Sequence, residues 1–160
     1  MIKIKNDPQA ESFHLLRMKS QAILAQVSNA TEGMQAICDL LKSELPTYHW
    51  VGFYMVDGDK KELVLGPFAG KPTDHIRIPF GKGICGQSAE TQETFLINDV
   101  KAESNYIACS IDVKSEIVVP LFKEGKMIGQ IDIDSSKKAA FNTSDESFLK
   151  DICAMVAEKM

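Results

Sequence analysis

A cysteine lies among three glycines in the segment "GKGICGQS", residues 81–88. Glycines permit the tight turn that can open a helix, and the positive end of a helix favours the thiolate, which is the nucleophilic form of cysteine. Cys85 is therefore a candidate reactive thiol. Cys109, in the loop-like stretch "NYIACSID", is a second candidate. The alternative, that both are incidental buried thiols, stays open on spacing alone.

Three acidic residues form a second group that could do chemistry. In "QIDIDS" the alternation of a strand directs Asp132 and Asp134 to the same face. Glu116, in "KSEIVVP", begins the strand that we expect to pair with this one. The carboxylates lie either on a solvated strand face or in a closed pocket. In a pocket, mutual repulsion and loss of water retain a proton unless a ligand cation neutralises the cluster.

Aromatic residues supply the apolar part of such a pocket. In "HWVGFY" the positions of Trp50, Gly52 and Tyr54 share one face of a strand. Val51 and Phe53 point to the opposite face, toward the core. Because Gly52 has no side chain, the pattern predicts room for a small ligand between two aromatic walls. Aromatic walls beside carboxylates suit a ligand with an ammonium group.

Helices are predicted on both sides of these segments. Apolar residues recur at helical spacing from residue 8 to about residue 27, and again from Thr31, a possible helix cap, as far as residue 45. A short helix is expected around residues 85–90. A closing helix begins with a capping box that pairs Thr143 with Glu146.

Alternating apolar residues predict the strands between the helices. The predicted strands are "YHWVGFYMV", "ELVLGPF", "HIRIPF", "TFLIND", "SEIVVPLF" and "KMIGQIDIDS". Two helices, a largely antiparallel sheet and a closing helix define an α+β domain with its helices packed on one side.

Composition narrows the possible functions. The 160 residues fit one domain, 1–160, that needs no metal or disulfide to fold. The net charge of −4 gives no reason to expect nucleic acid, and no apolar run suits a membrane span. The first residues lack a signal peptide, so we expect a cytoplasmic protein with reduced cysteines. No C-x-x-C motif indicates zinc, and Cys38 and Cys153 lie on apolar helical stripes, where core positions are expected.

Seven segments together resemble a known family. They are "HWVGFY", "LVLGPFAGKP", "RIPFGKGICG", "NDV", "IAC", "SEIVVPL" and "IGQIDIDS". In this order and spacing they are similar to the GAF-domain free methionine-R-sulfoxide reductases, from roughly Leu45 to the C-terminus. The resemblance implies a GAF fold, a central antiparallel sheet with the N- and C-terminal helices on one face. It implies a cytoplasmic homodimer without cofactor or metal that reduces free L-methionine-(R)-sulfoxide and is recycled by thioredoxin or another dithiol.

The resemblance also assigns roles to individual residues. Cys109 becomes the nucleophile and Cys85 a second redox cysteine. The substrate is placed between two aromatic side chains, with its ammonium group at three carboxylates that also supply a proton, Asp134 being the acid. The binding residues are Trp50, Tyr54, Glu116, Asp132 and Asp134.

The chain departs from the family pattern at His75, where members usually carry their main resolving cysteine. Three hypotheses follow for the step after the first attack. Cys85 resolves the oxidised nucleophile, or an external thiol reduces it directly. Alternatively, the chain is a small-ligand-binding GAF sensor module without reductase turnover.

Overall fold

The computed structural model describes residues 7–103 and 112–160. Within these ranges the chain forms four α-helices and six strands. The helices are α1 (Pro8–Gln26), α2 (Ala30–Glu44), α3 (Gly83–Thr91) and α4 (Thr143–Lys159), with a short 3₁₀ helix at Val100–Ala102. The strands are β1 (Trp50–Asp57), β2 (Glu62–Ala69), β3 (Arg77–Pro79), β4 (Phe95–Ile97), β5 (Ser115–Lys123) and β6 (Lys126–Ser135). None of the helices in the described ranges has the length and apolarity needed to cross a membrane.

The strands form one antiparallel sheet in the order β3-β2-β1-β6-β5-β4. The central strands β1 and β6 pair so that Trp50 lies opposite Asp134 and Gly52 opposite Asp132. On the other side of β6, Glu116 of β5 lies opposite Asp134. The register therefore brings the aromatic strand and all three predicted carboxylates together on one face.

The opposite face of the sheet carries the main core. Side chains such as Val51, Phe53 and Ile133 pack there against α1, α2 and α4. Burial of each such large apolar side chain contributes about 1.5–3 kcal/mol. Cys38 and Cys153 belong to this core and are almost fully buried, so their predicted structural role is confirmed. The predicted α+β architecture, with the N- and C-terminal helices on one face, is confirmed as well.

The short helix α3 lies on the other face of the sheet, with the carboxylates. Its residues Ile84, Cys85 and Ala89 join Tyr54 and Val118 in a second, smaller apolar cluster. The predicted packing on one face thus holds for the N- and C-terminal helices, and the short helix α3 lies apart from them. The apolar side chains of α3 pack there against apolar residues of β1 and β5.

The start of α2 differs by two positions from the sequence expectation. Asn29 is the N-cap, and its side chain accepts a hydrogen bond from the backbone N–H of Glu32 at 2.9 Å. Thr31 already lies inside the helix. Asn29 has the extended backbone that a cap requires, and asparagine is among the strongest capping residues.

The capping box of α4 is also shifted, by one residue. Asn142 accepts from the backbone N–H of Asp145, and the Asp145 carboxylate accepts from the backbone N–H of Asn142. The predicted pairing of Thr143 with Glu146 is wrong. Asp145 is buried, and its other oxygen accepts a hydrogen bond of 2.7 Å from the hydroxyl of Tyr48, which fixes the box in this register.

Candidate active site

Three carboxylates are buried together on the α3 side of the sheet. Glu116, Asp132 and Asp134 have relative exposures of 3%, 0% and 2%. The interpretation of this strand face as solvated is therefore wrong. The reason is tertiary: α3 and the aromatic residues of β1 cover the face, and no local pattern in β5 or β6 encodes that cover.

Both carboxylate oxygens of Asp132 and of Asp134 lack a hydrogen bond of normal geometry to any described residue. Burial raises the pKa of the Asp134 carboxyl well above its usual range, and the charge of Asp132 raises it further, whereas Glu116 opposes the shift. Burial likewise raises the pKa of Asp132, against opposing interactions with Glu116 and Cys85. The cluster thus retains a proton more firmly than exposed carboxylates do, and it can receive a cation.

Cys85 is the third residue of α3 and approaches the cluster from above. The turn before the helix requires glycine at Gly81 and Gly83, whose φ angles are +87° and +63°. The Cys85 thiol donates to Oε2 of Glu116 at 3.8 Å, and Gln130 Nε2 donates to the Cys85 carbonyl at 3.2 Å. Cys85 is therefore a positioned thiol at an acidic cluster rather than an incidental core residue.

The indole of Trp50 forms the apolar wall of the site. Its Nε1 donates to the carbonyl of Lys71 at 2.9 Å, and its ring stacks on Phe68 with centroids 5.6 Å apart. The ring also fills the space above Gly52, where an added Cβ would lie 2.2 Å from an indole carbon. The room predicted at Gly52 is therefore occupied by Trp50 itself, because the long indole folds back along its own strand.

Tyr54 lies next to Trp50, with ring centroids 6.3 Å apart. The Tyr54 ring is fully buried, and its hydroxyl donates to the backbone carbonyl of His75 at 3.0 Å. Tyr54 does not line the cavity beside Trp50 that is described below. The structure thus brings Tyr54 close to the predicted site without exposing its ring to that cavity.

A cavity of about 250 Å³ opens beside the indole of Trp50 and the carboxyl of Asp134. Its other lining residues are His49, Lys71, Thr73, Asp112, Val113, Ser135 and Ser136. Most of these residues lie in loops, where side-chain alternation gives no prediction. His49 is held in place because its Nδ1 accepts the backbone N–H of Ser136 at 2.9 Å. Its position next to "WVGFY" was the one signal in the sequence that could have indicated it.

A second, much smaller cavity of about 10 Å³ lies on the far side of the thiol. His75, Cys85 and Glu116 line it, together with Ile78, Lys82, Gly83 and Ile84. The residue at the position of the usual resolving cysteine thus faces the same small space as Cys85. Cys109, predicted to be the nucleophile, lies outside the described residues.

Comparison with known proteins identifies this architecture. A model of the GAF domain family matches residues 28–158, so the chain is a GAF domain protein. It is 36% identical over 155 residues to GAF domain-containing protein A of Dictyostelium discoideum, covering 97% of this chain and 96% of that protein. It is 38% identical over 132 residues to the free methionine-R-sulfoxide reductase of Saccharomyces cerevisiae, covering 81% of this chain and 73% of that protein.

A solved structure gives the same result. The free methionine-R-sulfoxide reductase of Neisseria meningitidis, determined in complex with its substrate, superimposes with a TM-score of 0.90 at 34% identity. The match covers 99% of this chain and 93% of that one. The chain belongs to the GAF-domain free methionine-R-sulfoxide reductase family, which confirms the resemblance found in the sequence motifs.

Proposed function

We propose that this protein reduces free L-methionine-(R)-sulfoxide to methionine. The observation that carries the proposal is the buried cluster of three carboxylates, of which Asp134 lines a cavity of about 250 Å³ together with the Trp50 indole. Relatives with the same fold and comparable identity are named for this activity. A free amino acid has an ammonium group that can pair with the buried carboxylates, whereas a residue inside a peptide does not.

Binding follows from the two halves of the substrate. Glu116, Asp132 and Asp134 would receive the ammonium group, whose positive charge offsets the cost of burying the carboxylates. The Trp50 ring, which packs beside the buried Tyr54 ring, offers apolar surface for the methyl end, since sulfur and methyl groups pack well against aromatic rings.

The chemistry is a two-electron transfer from a thiol to the sulfoxide. In this proposal the Cys109 thiolate attacks the sulfoxide sulfur while Asp134, in its protonated form, donates a proton to the oxygen. The sulfur–oxygen bond breaks and hydroxide leaves, which gives a sulfonium bonded to the Cys109 sulfur. Hydroxide then attacks the Cys109 sulfur, the new sulfur–sulfur bond breaks, and methionine leaves with the electron pair while Cys109 keeps the oxygen as a sulfenic acid. The retained proton matters because an unprotonated oxide is a poor leaving group.

Cys85 is the proposed resolving thiol. Its sulfur would displace hydroxide from the Cys109 sulfenic acid, forming a disulfide and releasing water. An external dithiol such as thioredoxin would then reduce the disulfide by exchange. The position of Cys85 at the carboxylate cluster supports this role, whereas direct reduction by an external thiol remains the alternative raised by His75.

Three further expectations belong to the same proposal. The chain would act as a homodimer in the cytoplasm, with residues 1–160 forming one GAF domain. The match of the GAF model over residues 28–158 supports the single domain, and the proposed reaction needs reduced thiols, which are typical of the cytoplasm.

The direct test is an assay on free methionine sulfoxide with dithiothreitol, in which the two sulfur epimers are resolved by chromatography. The R epimer should be consumed, while the S epimer and an N-acetylated R sulfoxide should remain. The acetylated compound is the matched control because a neutral amide replaces the ammonium group while the sulfoxide end is unchanged. Equal turnover of the acetylated compound would refute the carboxylate assignment. Binding of the R epimer without turnover would favour a sensor.

Single-turnover experiments separate the roles of the two cysteines. Cys109→Ser should release no methionine, because a serine hydroxyl is too weakly acidic to supply the nucleophile. Cys85→Ser should release about one methionine per chain and leave a sulfenic acid that a dimedone probe traps. If Cys85→Ser is folded but releases no methionine, Cys85 is the nucleophile and Cys109 is the resolving thiol.

A further inference from the structure

Donor atoms from three different elements meet at one buried point. The Cys85 sulfur comes from α3, a Glu116 oxygen from β5 and an Asp132 oxygen from β6, and these three atoms all lie within 4.8 Å of one another. All three residues are at least nine-tenths buried. Zinc motifs with ligands close in sequence, such as C-x-x-C, cannot reveal such a group, because its members are 31 and 16 positions apart along the chain.

The spacing suits a tetrahedral metal ion. With a metal–sulfur bond of about 2.3 Å and a metal–oxygen bond of about 2.0 Å, tetrahedral ligands lie about 3.5 Å apart. The Cys85 sulfur and Glu116 Oε2 are 3.8 Å apart, so this pair needs to close by only a few tenths of an ångström. The small cavity beside Cys85 and Glu116, about 10 Å³, has room for about one water as a fourth ligand.

A second observation indicates that the cluster can receive a cation. Neither oxygen of Asp132 nor of Asp134 has a hydrogen-bond partner of normal geometry among the described residues, and both side chains are at least 98% buried. An ammonium group can neutralise the negative charge of the carboxylates, but the Cys85 thiol adds nothing to its binding. One sulfur ligand with two carboxylates suits zinc-like ions, whereas magnesium and calcium take oxygen ligands.

We propose that the substrate-free protein binds a zinc-class divalent ion through Cys85, Glu116 and Asp132. The ion takes the place of the thiol proton, which passes to solvent, and no oxidation or reduction occurs. The bound ion holds the proposed resolving thiol and two of the three carboxylates, so it blocks the site. The inhibition rests on the proposed function, whereas the binding does not.

The test uses Co²⁺ as a spectroscopic probe and Zn²⁺ as its competitor, with the full chain reduced by a phosphine rather than by a metal-binding dithiol. Wild-type protein should show a sulfur-to-cobalt charge-transfer band that one equivalent of Zn²⁺ abolishes. Cys85→Ser should lack the band. Cys38→Ala is the matched control, because Cys38 is also buried but lies in α2, on the other face of the sheet. The cobalt band of Cys38→Ala should equal that of the wild type.

Affinity measurements then test the carboxylates. Loss of a group that merely supports a metal ligand costs about 10–100-fold in affinity. The isosteric change Asp132→Asn removes a direct ligand and should weaken Zn²⁺ binding more than about 100-fold. Free methionine sulfoxide should raise the apparent Kd for Zn²⁺, because both ligands use the same carboxylates.

Three results would overturn the metal site: no cobalt band in wild-type protein, a band that survives Cys85→Ser, or an Asp132→Asn affinity within about threefold of wild type. If the cobalt band depends on Cys85 but the chain reduces no sulfoxide, the proposed reductase function is wrong and the proposed metal site stands. If the chain binds Zn²⁺ at Cys85 but micromolar Zn²⁺ does not slow sulfoxide reduction, the proposal that the bound ion inhibits the reaction is wrong.

Discussion

Replacing Gly52 with alanine should displace the indole that forms the apolar wall of the site. An added Cβ would lie 2.2 Å and 2.5 Å from two carbons of the Trp50 ring and 3.0 Å from Cβ of Phe68. Non-bonded carbons separate to about 3.5 Å, so the ring must move by about 1.3 Å. Such a shift breaks the 2.9 Å hydrogen bond from Trp50 to the Lys71 carbonyl and disturbs the stacking on Phe68.

The expected cost has two parts. Overpacking of a tight site costs about 1–3 kcal/mol, and the lost hydrogen bond about 1 kcal/mol. The total of about 2–4 kcal/mol corresponds to a fall in Tm of about 4–16 °C for a domain of this size. Because Trp50 is the only tryptophan in the chain, its fluorescence emission reports directly on the ring. We expect a shifted emission maximum and weaker binding of methionine sulfoxide.

Gly58→Ala is the matched control. The added Cβ at Gly58 meets nothing within 4 Å, so the same chemical change leaves every contact intact. Gly58→Ala should keep the wild-type emission, Tm and affinity. If Gly52→Ala behaves like this control in all three measurements, the indole does not occupy the space above residue 52, and the assignment of Trp50 as the wall of the site fails.

Three further predictions concern the acid and the caps. Because the fold raises the pKa of Asp134, its contribution to the free energy of unfolding is complete below about pH 4 and is lost as the pH rises through the folded-state pKa. Asp134→Asn should flatten this fall in urea unfolding above about pH 4 and should lower turnover. Tyr48→Phe leaves a buried oxygen of Asp145 without its donor and should cost about 1–3 kcal/mol in urea unfolding, whereas an unchanged free energy would mean that water replaces the hydroxyl. Asn142→Ala should lower the free energy of unfolding by about 0.5–2 kcal/mol, and Thr143→Ala should lower it much less. The reverse order would mean that Thr143 is the cap, as the sequence predicted.

Side-chain alternation in a strand is a local property, and for that reason the sequence sufficed to predict it. The placement of Asp132 and Asp134 on the face of Trp50 follows from the period of two and from the pairing of β1 with β6. The core positions of Cys38 and Cys153 follow from helical periodicity in the same way.

Burial and cavities depend on elements distant in sequence, and these features could not be predicted from local patterns. Whether Asp132 is solvated depends on α3, which begins 49 positions earlier at Gly83. The space above Gly52 depends on the rotamer of Trp50, which its contacts with Phe68 and Lys71 determine. The observed caps differ from the predicted ones by one or two positions, because several neighbouring residues can cap a helix and only the backbone geometry decides among them.

The two halves of the site have unequal local stability. The carboxylates and Trp50 lie on β1, β5 and β6, each of which has a neighbouring strand on both sides, so their backbone amides should exchange with solvent deuterium only when the whole sheet unfolds. Cys85 instead follows β3, a three-residue strand at the edge of the sheet. A segment held by so few ladder bonds opens at lower free energy. On warming, the Cys85 thiol should become open to alkylation while the carboxylates and the indole still hold their ligand.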